Sequence, residues 1–415
     1  MALDVRHVSR LGDDSSVLVI GAGLAAWRFV EALRDEGFAG PITVVGDEPH
    51  LPYDRPPLSK QVLNGKWDVE RTSLVDRDSP VAASVSWRLG ESVVSLDAHE
   101  GRVVLRGGEE LRASHVVLAT GARARRLDFR AMDELHTIRS RDDVERLLGA
   151  VEETSNARPW VVVGAGFLGA EVATALKVRG VEAIVLEAAA LPLEAVVGVA
   201  AARWLRSLPD EFGVELRTSQ LIRDVERRGE HFSVLLEDGS AIDASGVVVC
   251  TGSSLELGWL EGSGLVVDGG VVVDENLQAR TNVAAIGDVA RFSWRGPGGE
   301  EVIRVEHWEV AISHGAQLAR FWVTGEGSTS TLVPYFWSDQ YGKKIQMLGH
   351  PRADDDVQLV HGSLEEGKWL ALYSRAGVVT GLLSLSQPRA LMLSKSVLDE
   401  ATALNDALAA SPWSA

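Results

Sequence analysis

Residues 17–26 read Val-Leu-Val-Ile-Gly-Ala-Gly-Leu-Ala-Ala, and residues 160–169 read Trp-Val-Val-Val-Gly-Ala-Gly-Phe-Leu-Gly. Each decapeptide is a short apolar run that breaks at Gly-Ala-Gly. The first continues into an amphipathic stretch from Trp27 to about Asp35, the second into one from Ala170 to about Arg179. That order predicts strand, Gly-rich turn and helix. The first glycine (Gly21, Gly164) permits a tight turn, and the second (Gly23, Gly166) lets the backbone approach a pyrophosphate. The small third residue (Ala26, Gly169) lets helix and strand pack closely. The helix N-terminus then offers free N–H groups and the positive end of its dipole to the phosphates. Because the pattern occurs twice, two dinucleotide-binding units of similar design are expected.

Each unit also needs an acid after its second strand to accept hydrogen bonds from ribose hydroxyls. Ile42-Thr-Val-Val45 leads to Asp47 and Glu48, and Ala183-Ile-Val-Leu186 leads to Glu187. Glu187 would repel a 2′-phosphate, and Ala188 to Ala190 supply no arginine to receive one. The second unit should therefore prefer NADH to NADPH. Two dinucleotides in one chain imply a resident cofactor and an exchanging one, for which a flavin beside a nicotinamide is the usual chemical reason.

Further apolar runs end in small turns: Val116 to Ala119 runs into Thr120-Gly121, another run enters Thr251-Gly252, and Val283 to Ile286 ends in Gly287-Asp288. From about Thr331 the pattern changes. Trp337, Trp369 and the alternating runs Leu370 to Tyr373 and Val378 to Leu385 predict a small sheet-rich C-terminal domain. The Ala-rich stretch from Ser394 to Ala410 reads as helix, and Leu51 to Lys60 as a Pro-rich turn.

Composition narrows the function. With 41 Lys and Arg against 59 Asp and Glu among 415 residues, the net charge of −18 argues against nucleic acid or an anionic membrane as a partner. No apolar run is long enough to span a bilayer, and residues 1–16 lack the apolar core of a signal peptide, so a cytoplasmic protein is expected. A single cysteine, Cys250, excludes an internal disulfide, a CxxC pair and a Cys-ligated cluster, and its apolar surroundings read as core. The ten histidines show no metal-ligand spacing, and no Gly-x-Ser-x-Gly supports a hydrolase.

The segment Leu51-Pro-Tyr-Asp-Arg-Pro-Pro-Leu-Ser-Lys60 resembles the FAD signature of the oxygenase-coupled NADH:ferredoxin reductases. That group includes putidaredoxin reductase and the reductases of aromatic-ring dioxygenases, and apoptosis-inducing factor is a relative. The resemblance continues in Ala119-Thr-Gly-Ala-Arg123, Gly164 to Glu171, Ala285-Ile-Gly-Asp288, Glu306-His-Trp308 and Phe336-Trp-Ser-Asp-Gln340.

It implies an α/β fold with two Rossmann-like, glutathione-reductase-like dinucleotide-binding domains and a small α+β C-terminal domain. The divisions would be residues 12–128 with 243–326 for FAD, 129–242 for NAD, and 327–415. It assigns FAD to the first unit, touching Gly21, Gly23, Ala25, Ala26, Asp47, Glu48, Arg55, Lys60, Val93, Ala119, Thr120, Gly121, Arg139, Asp288 and Trp308. It assigns NADH to Gly164, Gly166, Phe167, Leu168, Gly169, Glu171, Glu187 and Gly252. Lys60 and Glu171 would pair beside the reacting rings, and Trp337 would line the electron exit, the alternatives being a helix-surface acid and a core aromatic. Three positions depart from the family pattern: the arginine-free loop 188–195, Leu255-Glu256 in place of Pro-Asn, and Ala124 in place of proline.

With no cysteine pair to receive electrons, the resemblance implies discharge from the flavin to a [2Fe–2S] ferredoxin serving an oxygenase or cytochrome P450, by a monomer or homodimer. Against it stands the net charge, since ferredoxins are generally acidic. Lys343, Lys344, Arg28, Arg304 and Arg352 are the cations that could locally reverse the field. Two other readings use the same scaffold: an NADH oxidase or small-molecule flavin oxidoreductase, and an NADH-sensing interaction protein like apoptosis-inducing factor.

Overall fold

A four-residue apolar strand buried on both faces needs hydrogen-bonding neighbours on both edges, and both Gly-rich strands have them. In a computed structural model, residues 10–153, 157–297, 299–327, 332–399 and 401–414 are described. Residues 1–9, most of the segment expected to lack a signal peptide, lie outside them. The strands that position the site are, in chain order, β1 (Val17–Ile20), β2 (Ile42–Gly46), β3 (Val85–Leu89), β4 (His115–Leu118), β5 (Trp160–Val163), β6 (Ala183–Leu186), β7 (Glu215–Arg217), β8 (Val247–Val249), β9 (Gln278–Arg280), β10 (Val283–Ala285), β11 (Tyr335–Gln340), β12 (Lys343–Gly349), β13 (Asp356–Ser363), β14 (Lys368–Arg375) and β15 (Val378–Leu385). The helices are α1 (Leu24–Asp35), α2 (Phe167–Val178) and α3 (Trp308–Thr324).

The chain divides into two compact units. One comprises residues 1–54, 73–123 and 255–335. Its sheet has the order β9-β10-β4-β1-β2-β3. The strand β1 runs parallel to β2 and β4, Val17 facing Ile42 on one side and His115 on the other. All four β1 residues are buried, and α1 and α3 pack on each other beside the sheet.

The other unit comprises residues 55–72, 124–254 and 336–415. Its parallel sheet has the order β7-β6-β5-β8, with β5 flanked by β6 and β8 as β1 is by β2 and β4. A five-stranded sheet, β11-β12-β15-β14-β13, holds the expected C-terminal runs, Leu370–Tyr373 in β14 and Val378–Leu385 in β15.

The turns follow from steric limits. Gly21 has φ +109° and Gly164 φ +98°, values that side chains rarely adopt. A Cβ at Gly21 would stand 2.2 Å from the Ala119 carbonyl oxygen, and one at Gly164 2.7 Å from that of Cys250. Each glycine thus brings the first strand's turn against the turn after the neighbouring strand.

Two local expectations are corrected. The Pro-rich segment ends in a helical turn, Leu58–Val62, because Pro56 and Pro57 lead into a wide coil in which the Val62 and Leu63 amides donate to the Pro57 and Leu58 carbonyls. Lys60 is therefore on a helical turn and not in a loop. Residues 394–410 are not one helix. Short helices at Ser396–Asp399 and Leu404–Ala410 are separated because Ala401 takes a left-handed conformation, φ +50°, and Ala403 bridges to Val378 at the start of β15.

Gly169 is where α2 comes closest to the strand end. A Cβ there would stand 2.0 Å from the Gly164 carbonyl oxygen. Gly169→Ala, which in an exposed helix would stabilise by about 1 kcal/mol, is expected here to destabilise by about 2 kcal/mol. Urea unfolding of the purified variant checks this, and an unchanged midpoint would show that the helix can move away.

Candidate functional site

In the first unit the Gly-rich turn contacts two of the other expected turns. Gly21 meets Ala119 and Thr120, and a Cβ at Gly287 would touch the Ala25 methyl at 3.0 Å. Ala25, Ala26 and Ala119 are buried, Thr120 is exposed, and Gly121 turns the chain with φ +64°. Gly23 caps α1 without a side-chain hydrogen bond, and no atom stands within 4 Å of where its Cβ would be. The start of α1 is thus uncapped beside an open space at Gly23, an arrangement that suits a pyrophosphate. Asp47 is ion-paired with Arg123, and Glu48 accepts a hydrogen bond from the Tyr53 hydroxyl. Asp288 lies in the turn Gly287–Val289. Trp308 opens α3, its indole N–H donating to Asp54 at 2.7 Å, and Val93 begins a strand opposite Leu105.

The Asp288 turn has a support that sequence reading missed. The Gly287 N–H donates to His314 Nδ1 at 3.3 Å from within α3. His314 is fully buried, and burial pushes its pKa down to about 3. The ring is thus neutral, with the proton on Nε2. Its signal in the sequence is only a polar residue on the apolar face of a helix.

In the second unit Gly166 repeats the uncapped, open arrangement at the start of α2. The Glu187 carboxylate accepts from the Ala165 N–H at 2.7 Å and the Ala189 N–H at 2.8 Å. It so holds the Gly-rich turn in place. Leu168 is half-buried beside Phe167, and Gly252 has φ +98°. Arg55 donates to the Arg139 carbonyl at 2.5 Å, which brings those two expected residues together.

Glu171, near the start of α2, is buried at 5% exposure and is not a helix-surface acid. Three donors converge on it. Lys60 Nζ lies 2.8 Å from Oε2, the Ser59 hydroxyl 2.5 Å from the same oxygen, and the Ser338 hydroxyl 2.5 Å from Oε1. Burying each ion costs several kcal/mol, and a hydrogen bond to a charged group returns roughly 1.5–3 kcal/mol. Three such bonds make the buried pair tolerable. Both serines stand inside segments that carry the resemblance, 51–60 and 336–340, but they lie 112 and 167 residues from Glu171 in the chain, so spacing does not pair them with it.

Cys250 is buried after β8, and burial, reinforced by the charge of Glu171, pushes its thiol up to about 12. The cations considered for a basic patch have local partners. Lys344 pairs with Asp339 at 3.0 Å, Arg28 with Glu31 at 2.7 Å and Arg304 with Glu306 at 2.8 Å, while Lys343 donates to the Gly367 carbonyl. Among the described residues no cluster of three His, Cys, Asp or Glu is placed to hold a metal, and no helix is long and apolar enough to cross a membrane.

The sequence matches the family described as pyridine nucleotide-disulphide oxidoreductase over residues 15–315 and the reductase C-terminal family over residues 335–414. It is similar to rhodocoxin reductase of Rhodococcus erythropolis, 34% identical over 92% of this chain and 89% of the relative. The ferredoxin reductase component of chlorobenzene dioxygenase from a Cupriavidus species is 31% identical over 94% of each chain. A chain in the crystal structure of the covalent putidaredoxin reductase–putidaredoxin complex superposes with a TM-score of 0.87, at 28% identity and with 93% of each chain covered.

Two outcomes are expected of these environments. Lys60→Met leaves a buried carboxylate with only its serine donors and should destabilise the protein by about 3 kcal/mol in urea unfolding. A loss under about 1 kcal/mol would show that the ammonium is not the essential counter-charge. The second concerns pH. His314 and His136 are held neutral by burial down to about 3 and about 4, whereas unfolding frees them to protonate near 6.5. Their contribution is complete above pH 6.5 and falls as the pH drops toward 4, with a slope of up to about 1.4 kcal/mol per pH unit for each group. His314→Gln should flatten the pH dependence of the unfolding free energy between pH 6.5 and 4, and a slope equal to that of the parent would refute the assignment.

Proposed function

The chain belongs to the pyridine nucleotide-disulphide oxidoreductase family, and from that membership we propose that it is an FAD-containing NADH:ferredoxin reductase that serves an oxygenase or a cytochrome P450. One observation carries the direction of electron flow. The single cysteine is buried and protonated, so no internal disulfide can take electrons from the flavin. They must leave for an outside acceptor. The similarity to reductases of the rhodocoxin and dioxygenase type, over nine-tenths of the chain, supports a ferredoxin in that role, for which we propose the [2Fe–2S] kind.

FAD, when bound, supplies what no side chain can: it takes up a hydride and returns the two electrons singly. The chain's own residues do the holding and aligning. The open amides at Gly23 and the start of α1 would cradle the FAD pyrophosphate, with Gly21, Ala25 and Ala26 shaping the turn. Asp47 and Glu48 would accept from the adenosine ribose and Asp288 from the ribityl hydroxyls, because a carboxylate can accept from several hydroxyls at once. Val93, Ala119, Thr120, Gly121, Trp308, Arg55 and Arg139 would complete the contacts. On the NADH side Gly164, Gly166, Phe167, Leu168, Gly169 and Gly252 would shape the site, and Glu187 would accept from the ribose and exclude NADPH. Lys60 and Glu171 would set the local field at the reacting rings, and Trp337 would line the exit. Residues 12–128 with 243–326 would form the FAD domain, 129–242 the NAD domain and 327–415 the C-terminal domain, in a cytoplasmic monomer or homodimer.

The purified protein should be yellow and release FAD on denaturation. NADH should bleach it anaerobically faster than equal NADPH, and cytochrome c reduction should require added ferredoxin. A colourless protein sinks the proposal. Rapid oxygen consumption with no need for ferredoxin would replace it with the oxidase reading.

A further inference from the structure

The strand β11 keeps step with helix α2. Phe336 lies on Phe167 with ring centroids 4.4 Å apart, Ser338 donates to Glu171, and the Tyr341 N–H, just past the strand, donates to Thr174 Oγ1 at 2.8 Å. Positions 167, 171 and 174 advance along one face of the helix, while 336 and 338 share one face of the strand. Strand alternation sends Trp337 and Asp339 to the opposite face. Asp339 there is partly exposed and pairs with Lys344.

Ser338 is completely buried, and Gln340 beyond it is 3% exposed. The Gln340 amide donates to Ser338 Oγ at 3.3 Å, so the serine proton is left for Glu171 Oε1. Ser59 and Lys60 occupy the other oxygen, Oε2. The carboxylate is therefore gripped at both oxygens by different elements. Any rotation that took it away from Lys60 would also break the bond to Ser338.

We propose that Ser338 is a positioning residue for hydride transfer. It fixes the carboxylate plane of Glu171 and, through it, the Lys60 ammonium. It also keeps the strand that carries Trp337 in register with the helix that opens at the dinucleotide turn. The inference rests on the proposed NADH and flavin chemistry.

The test uses the full-length FAD-loaded protein with Ser338→Ala, Ser338→Thr and Ser59→Ala. Three quantities are read: the limiting rate of anaerobic bleaching by NADH, the NADH concentration for half that rate, and the flavin reduction potential from dye equilibration. In Ser338→Ala the bleaching rate should fall about tenfold, the effect of losing one hydrogen bond to a charged group. The half-saturating NADH concentration should stay within about twofold, since the pyrophosphate contacts are untouched. The flavin potential should shift as the local charge is rearranged, and Ser338→Thr should restore both rate and potential. Ser59→Ala, which loosens the other oxygen, should slow bleaching similarly. Parent-like rate and potential in Ser338→Ala overturn the inference and leave the functional reading standing. If that variant does not fold, parent-like bleaching in Ser59→Ala overturns it equally. A parent protein that NADH does not bleach overturns both.

Discussion

The Glu171 carboxylate is the constraint on which the second unit is arranged. A buried charge is tolerated only when every lone pair of consequence finds a donor, and here the donors come from distant stretches of chain. The helical turn Leu58–Val62 brings Ser59 and Lys60, α2 brings the acid, and β11 brings Ser338. None of these segments can shift alone without leaving a polar group unsatisfied in the interior. The interaction therefore does more than add stability. It specifies one alignment of pieces that hydrophobic packing alone would hold less tightly.

The two parallel sheets meet a common problem with a common turn. In each, a strand flanked on both sides ends in a glycine of positive φ, which lets the backbone press against the adjacent turn. The units differ in how that turn is supported. In the first, the acid after β2 has an arginine partner, and a buried histidine steadies the Gly287–Asp288 turn. In the second, Glu187 grips the Gly-rich turn itself and keeps its shape without relying on a loop arginine.

Much of this is legible in the sequence because it is local. The strand–glycine–helix decapeptides, the acids after the second strands, the lone buried cysteine and the alternating C-terminal runs all express periodicity or steric need within ten residues. The Pro-rich segment reads as a turn, rightly as far as Pro57 and wrongly for Leu58 to Lys60, because Pro56-Pro57 marks both a turn and the approach to a helix. The Ala-rich tail reads as one helix, and wrongly, because a bridge from Ala403 to Val378 overrides alanine's helix preference. Ser59, Ser338 and His314 cannot be found by spacing, since their partners are settled only when remote segments fold together. The sequence does carry one trace of Ser338. In Phe336-Trp-Ser-Asp-Gln340 the alternation places a small hydroxyl beside an inward-facing ring, and small hydroxyls are rarely left in a core without an acceptor.

The state of Cys250 bears on endurance. Reduced flavins shed electrons to oxygen and make peroxide, and peroxide attacks thiolates. A thiol pushed up to about 12 is almost wholly protonated at neutral pH, and this one is also sealed beneath the sheet end. Of the described methionines, Met132 and Met347 are buried, and only Met392 is well exposed, at 47%, on a short helix of the C-terminal region. Oxidative wear should therefore begin at a peripheral thioether and spare the interior sulfur.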